Sequence, residues 1–262
     1  MPTTDAEPRT PRVLLAEDTP SNAMVLQRLV ERLGYSVVVV GDGRAALEAL
    51  EREPFDVILM DVHMPTMDGL EATREIRSRE RARGLPPVPI LALTGSTRDE
   101  HRFLCIEAGM NATLPKPIAK QELGRAIAAA LAGSSPEPAD AELHAAGQGT
   151  AIRDRDRALA ALAGESEILE EVERRMLEEV PAILARLGSA VGSRLARDVE
   201  AEAHAFKSLL RLVAAGGAAE LAEKLEEMGQ KGQLDTAPAT LAELQSRSAD
   251  LLREIRRDLA GG

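Results

Sequence analysis

Four short runs of large apolar side chains, VLLAE (Val13 to Glu17), SVVVV (Ser36 to Val40), FDVILM (Phe55 to Met60) and VPILAL (Val88 to Leu93), recur along the first half of the chain, with polar, helix-forming stretches between them. A run without a polar face has nothing to turn toward water. Each therefore reads as a strand buried on both sides, as in a parallel sheet covered by helices. Thr19 and Pro20 supply a cap and a first-turn proline for a helix ending near Leu33, where Gly34 stops it. A fifth, weaker strand falls at Ala112 to Leu114, and a helix follows from about Ala119 to Leu131. The unit βα repeated five times makes a doubly wound α/β fold with a five-stranded parallel sheet.

In such folds the reactive groups gather beyond the carboxyl ends of the strands. Glu17 and Asp18 end the first strand, Asp61 the third and Thr94 the fourth, and Lys116 follows the fifth. Three carboxylates thus share one edge with a hydroxyl and an ammonium. Crowded carboxylates repel one another unless a cation compensates. An all-oxygen donor set with room for water and a phosphate oxygen suits Mg²⁺, or Mn²⁺ in its place. Asp61 can then attack phosphorus to form an acyl phosphate, while the metal and Lys116 offset the charge of the transferring group. Thr94 can donate a hydrogen bond to a phosphate oxygen.

The segments AEDTPSN, MDVHMPTMDGLEATR, ALTGS and LPKPI together closely resemble the motifs of response-regulator receiver domains, especially those found with hybrid histidine kinases. The resemblance covers roughly residues 12–132 and implies the flavodoxin-like strand order. It implies Asp61 as phosphoacceptor, Glu17, Asp18 and the backbone carbonyl of His63 as metal ligands beside Asp61, Thr94 as the switch hydroxyl and Lys116 as the phosphate partner. It also implies a cis Lys116-Pro117 bond, in keeping with the lower cis cost before proline. Receivers usually carry Tyr or Phe three residues before the lysine; Thr113 stands there in this chain. The His63 imidazole has no second His or Cys at ligand spacing and is not assigned to zinc.

The stretch GSSPEPADAELHAAGQGT, from Gly133 to Thr150, is rich in Gly, Ser, Pro, Ala and acid and offers no large apolar run to bury. It reads as a flexible linker, with domains at 12–132 and 152–259 and the linker at 133–151. Beyond it, β-branched runs disappear and Ala, Leu, Glu and Arg dominate. Helices are expected over about Asp154 to Ala163, Glu165 to Leu187, Arg194 to Ala215, Ala218 to Gln230 and Pro238 to Leu259, with glycines between them and a bend at Pro181. Long amphipathic helices with short connections make an antiparallel bundle.

On the third of these helices Val199, Ala203, Phe206, Leu210 and Val213 build a core-facing stripe. His204, Lys207, Ser208 and Arg211 form a second stripe beside it. An imidazole beside a small residue, with two cations near and solvent in front, suits receipt of a phosphoryl group. The nucleophile is a neutral ring nitrogen, which the cations favour over imidazolium before pairing with phosphate oxygens. Two stretches, AHAFKSLLRLVAAGGAAELAEKLEEMG and, upstream, LAALAGESEILEEVERRMLEEVPAILARL, resemble histidine-containing phosphotransfer (HPt) domains. Carried over, His204 is the phosphoacceptor and Lys207 its basic neighbour. Ser208 stands where the family usually has Gly, and Leu209 where it has a second small residue. His101 and His144 lack such surroundings and go to a solvated helix and to the linker.

A net charge of −11 opposes a nucleic-acid surface, which depends on clustered Lys and Arg, and no DNA recognition helix stands out. One cysteine, Cys105, admits no internal disulfide, and no signal peptide or membrane-length apolar run is read, so the expected compartment is the cytosol. Met1 and its polar leader read as the start of an independent protein. No glycine-rich loop of P-loop or protein-kinase type is read, so phosphate must come from a sensor histidine kinase, another receiver or HPt protein, or a small acyl-phosphate donor. The expected function is a two-component phosphorelay protein using both Asp61 and His204. The alternative is a regulated interaction module in which Asp61 alone is phosphorylated and the bundle is an effector surface.

Overall fold

The computed structural model describes residues 9–95, 99–134 and 152–261, and the chain divides into two compact units, Met1–Asp140 and Ala141–Gly262. Most of the expected linker, with His144, lies outside the described residues.

In the first unit β1 (Arg12–Ala16), β2 (Ser36–Val40), β3 (Val57–Asp61), β4 (Ile90–Thr94) and β5 (Ala112–Pro115) form one parallel sheet in the order β2-β1-β3-β4-β5. The helices are α1 (Pro20–Arg32), α2 (Gly43–Arg52), α3 (Gly69–Arg83), α4 (Asp99–Ala108) and α5 (Lys120–Leu131). Because successive strand residues face opposite sides, one core collects Leu14, Ala16, Ile58, Met60, Ile90 and Ala92 with Ala46 and Leu47 of α2, Ala72 and Ile76 of α3 and Cys105 of α4. The alternate residues Val13, Leu15, Val57, Leu59, Leu91 and Leu93 are equally buried on the other face, which α1 and α5 cover. SVVVV departs from the expectation of two buried faces: β2 is an edge strand and is only partly covered. The Thr19 side chain does not cap α1; its hydroxyl donates to Asp18 Oδ1 at 3.2 Å, while Pro20 does open the helix.

The second unit contains α6 (Arg155–Ala161), α7 (Ser166–Gly192), α8 (Ala196–Leu212), α9 (Gly216–Lys231) and α10 (Ala237–Gly261). Helices α7 to α10 pack in a closed ring, α7 on α8, α8 on α9, α9 on α10 and α10 back on α7. Gly188 and Pro181 lie inside α7, and Gly216 and Gly217 open α9 instead of separating it from α8. Tertiary packing of a long apolar stripe, Val172 to Val191, outweighs these weak helix formers. Arg153, whose side chain is fully buried, ties the segment before α6 to Glu173 of α7 at 2.5 Å and to Asp258 of α10 at 2.7 Å. Among the described residues no helix is long and apolar enough to cross a membrane.

Candidate functional sites

The first site lies where the sheet ends. Alternation sends Asp61 out of β3 at the sheet's carboxyl edge, and the chain leaving β1 brings Glu17 and Asp18 beside it. Ligand atoms of Glu17, Asp18 and Asp61 lie within 4.8 Å of one another. Glu17 and Asp61 are buried and Asp18 is half-buried. Lys116 Nζ, itself buried, donates to Glu17 Oε2 at 2.6 Å and to Asp61 Oδ2 at 2.5 Å. Asn22 Nδ2 donates to Glu17 Oε1 at 3.0 Å, and the His63 amide donates to Asp61 Oδ1 at 3.3 Å. The buried Thr94 closes the edge: its carbonyl accepts from the Lys116 amide at 2.7 Å, next to a Lys116-Pro117 bond that is cis.

Burial pushes the Glu17 carboxyl up to about 7, with the Asp61 charge adding to the rise and Lys116 and Asn22 opposing it. Burial alone would lower the Lys116 ammonium, but the Asp61 and Glu17 carboxylates carry it above its ordinary value. One ammonium among three carboxylates leaves a net negative, all-oxygen cluster, and these residues fit a hard divalent cation. Glu17, Asp18 and Asp61 would hold it.

Glycine at position 69 makes the edge compact. A Cβ there would fall 2.0 Å from the Asp61 carbonyl oxygen, so the start of α3 can approach β3 only without a side chain. Asp68 caps α3 through the Glu71 amide at 2.7 Å. Thr113, where receivers usually have an aromatic ring, is half-buried on β5 opposite Ala92.

The second site is on α8. His204 Nδ1 lies 2.6 Å from Glu226 Oε1 on α9, and the ring's side chain is only 11% exposed. Lys207 is buried rather than facing solvent, its Nζ donating to Glu226 Oε2, with Glu223 Oε1 at 3.8 Å. Arg211 pairs with Glu223 at 3.1 Å. Ser208, one turn along α8 from His204, is buried. Burial would raise the Glu226 carboxyl, but the hydrogen bond from His204, the charges of His204 and Lys207 and the Lys207 hydrogen bond hold it down to about 2. It is therefore a carboxylate at neutral pH and can only accept. Nδ1 must donate, so in the neutral ring the lone pair sits on Nε2.

The sequence reading missed Glu226 and Glu223. Both lie within the AEKLEEMG stretch, but in sequence they are two more acids on an amphipathic helix; only the crossing of α9 over α8 singles them out. His101 is in α4, as expected of a helical residue.

Comparison with known proteins places both sites in matched regions. A family model described as response regulator receiver domain matches residues 13–128, and one described as Hpt domain matches residues 171–258. The sensor histidine kinase GacS of Pseudomonas protegens is 35% identical over 178 residues, covering 66% of this chain and 19% of that protein. The sensory/regulatory protein RpfC of Xanthomonas campestris pv. campestris is 36% identical over 118 residues, covering 45% of this chain and 16% of that protein. The receiver domain of the sensor histidine kinase PA1611 from Pseudomonas aeruginosa PAO1 is 41% identical with a TM-score of 0.44, covering 47% of this chain and 99% of that structure. The chain spans about a fifth of the length of the curated GacS relatives it matches.

Proposed function

We propose that this chain, which carries a response regulator receiver domain followed by an Hpt domain, is a phosphorelay protein with two phosphoryl-accepting residues, Asp61 and His204. The observation that carries the relay reading is the carboxylate of Glu226 on His204 Nδ1. It orients the ring and leaves Nε2 to meet phosphorus.

At the receiver, an Asp61 carboxylate oxygen attacks the phosphorus of a phosphohistidine on a sensor kinase or HPt protein. The O–P bond forms as the N–P bond breaks, and the imidazole takes up a proton. Lys116, already on Asp61 Oδ2, stays beside the transferred group and offsets its charge. Thr94 donates to a phosphate oxygen. A divalent ion, Mg²⁺ or Mn²⁺, held by Glu17, Asp18 and Asp61 with the His63 carbonyl, supplies further charge neutralisation when bound.

At the bundle, Nε2 of His204 attacks the acyl phosphate of a partner receiver, and the partner's carboxylate leaves. Glu226 accepts the Nδ1 proton's hydrogen bond throughout, and Lys207 beside it balances the carboxylate. The matched regions are a receiver and an Hpt domain, so we take the phosphoryl group to originate outside these two regions. We place the relay in the cytosol and its folded parts at 12–132 and 152–259, joined through 133–151.

A second reading, in which Asp61 alone is phosphorylated and the bundle is an effector surface, is favoured by the low exposure of the His204 side chain. Labelling decides. The chain is exposed to a kinase-loaded receiver, or to a small acyl-phosphate donor with Mg²⁺. A base-stable, acid-labile label that vanishes in His204→Gln is the relay outcome. Label found only as base-labile acyl phosphate, lost in Asp61→Asn across several donor receivers, ends the relay reading in favour of the second.

A further inference from the structure

Helices α8 and α9 form the most extensive contact in the bundle. On α9, Ala222, Glu226 and Gly229 recur at four and three, so they share one stripe, and all three are buried. A Cβ built on Gly229 would lie 2.6 Å from the Glu200 amide nitrogen, 2.8 Å from the Ala196 carbonyl oxygen and 2.9 Å from the Glu200 Cα. These are backbone atoms of α8, which no change of rotamer can move aside. The residue's φ is not left-handed, and glycine is a poor helix former, so backbone conformation gives no reason for it at this position. Close approach of the two helices does.

One turn away on the same stripe, Glu226 Oε1 meets His204 Nδ1 at 2.6 Å. That bond has little slack, because alignment and strength are lost beyond about 3.2–3.5 Å. An ordinary contact for a methyl at position 229 begins near 3.4 Å, so α9 would have to retreat by roughly 0.8 Å from its present 2.6 Å. We propose that Gly229 is a positioning residue for His204: by letting the backbones of α8 and α9 touch, it holds the Glu226 carboxylate on Nδ1 and so fixes Nε2 as the nucleophilic nitrogen. The inference rests on reading His204 as a phosphoryl acceptor. Its direct consequence, the ring tautomer, is measurable with no phosphate present.

The test uses the full chain with ¹⁵N-labelled histidine at about pH 8.5, above the ordinary imidazole range, where ring nitrogen shifts report which nitrogen carries the proton. Gly188→Ala and Gly192→Ala are the controls, since an added Cβ there meets nothing within 4 Å. The parent and both controls are expected to hold His204 as the Nδ1–H tautomer. Gly229→Ala is expected to populate the Nε2–H form several-fold more. Its initial rate of base-stable labelling by phosphoramidate should fall tenfold to a hundredfold, the range that misplacement of about 1 Å produces. Ala222→Val drives the same wedge from the same stripe and stands in if Gly229→Ala does not fold. A folded Gly229→Ala or Ala222→Val protein with the parent's tautomer and labelling rate overturns the proposal. If the tautomer shifts while the parent is never labelled at His204, the positioning role stands and the phosphoacceptor reading falls.

Discussion

Glu226 carries two linked consequences at the scale of single residues. Because its folded carboxyl sits at about 2, below the ordinary 4.5, the stability it contributes is complete above about pH 4.5 and disappears as pH falls through about 2. The contribution is on the order of 3 kcal/mol. Denaturant melts of the parent and Glu226→Gln between pH 6 and pH 2 (roughly that range) should converge at the acid end, the variant being flatter. At the other site, Asp18 is the half-buried member of the carboxylate cluster. Millimolar Mg²⁺ should stabilise the first unit by about 2.7 kcal/mol at a hundredfold excess over the dissociation constant, and so raise its melting temperature. Asp18→Asn should lose most of that increment, which thermal melts with and without chelator will read.

Elements act here through how closely they can approach. The start of α3 lies against the end of β3 because position 69 has no Cβ, and the Gly69 amide donates to the Val62 carbonyl at 3.0 Å. Gly69→Ala must push α3 off the strand that ends in Asp61. We expect about 2–3 kcal/mol of destabilisation, the upper part of the overpacking range, together with slower acyl-phosphate formation. Chemical denaturation and Asp61 labelling, measured on the same variant, check both. An unchanged denaturation midpoint would mean that the loop after β3 absorbs the methyl.

For the whole molecule the consequence is separability, since each unit has its own core. Arg153 anchors the second unit from a point upstream of the matched Hpt residues, and it binds Glu173, Glu254 and Asp258. Glu173 is fully buried, and its Oε2 has no hydrogen-bond partner among the described residues. Arg153→Met would leave that carboxylate, among the described residues, with only Arg155 at 3.4 Å. Breaking a buried pair in this way costs roughly 3–5 kcal/mol. Calorimetry should show the transition of the second unit falling by more than about 10 °C while that of the first stays in place. A shift of both transitions would show the two units to be thermodynamically coupled.

Much of this organisation is written locally. The apolar runs of β1, β3 and β4, the carboxylates and lysine at their ends, and the amphipathic stripes of α7 to α10 follow from side-chain period and type, which act over a few residues. Motif order was enough to mark Asp61 and His204 as the candidate phosphoacceptors. What the chain alone could not reveal depends on contacts between residues far apart in sequence: β2 as a half-covered edge, Gly188 and Pro181 absorbed into α7, Lys207 buried on a carboxylate instead of facing solvent, and Glu226 on the histidine ring. Packing decided these, because a glutamate on a helix acquires its meaning only when another helix crosses it closely enough for one hydrogen bond.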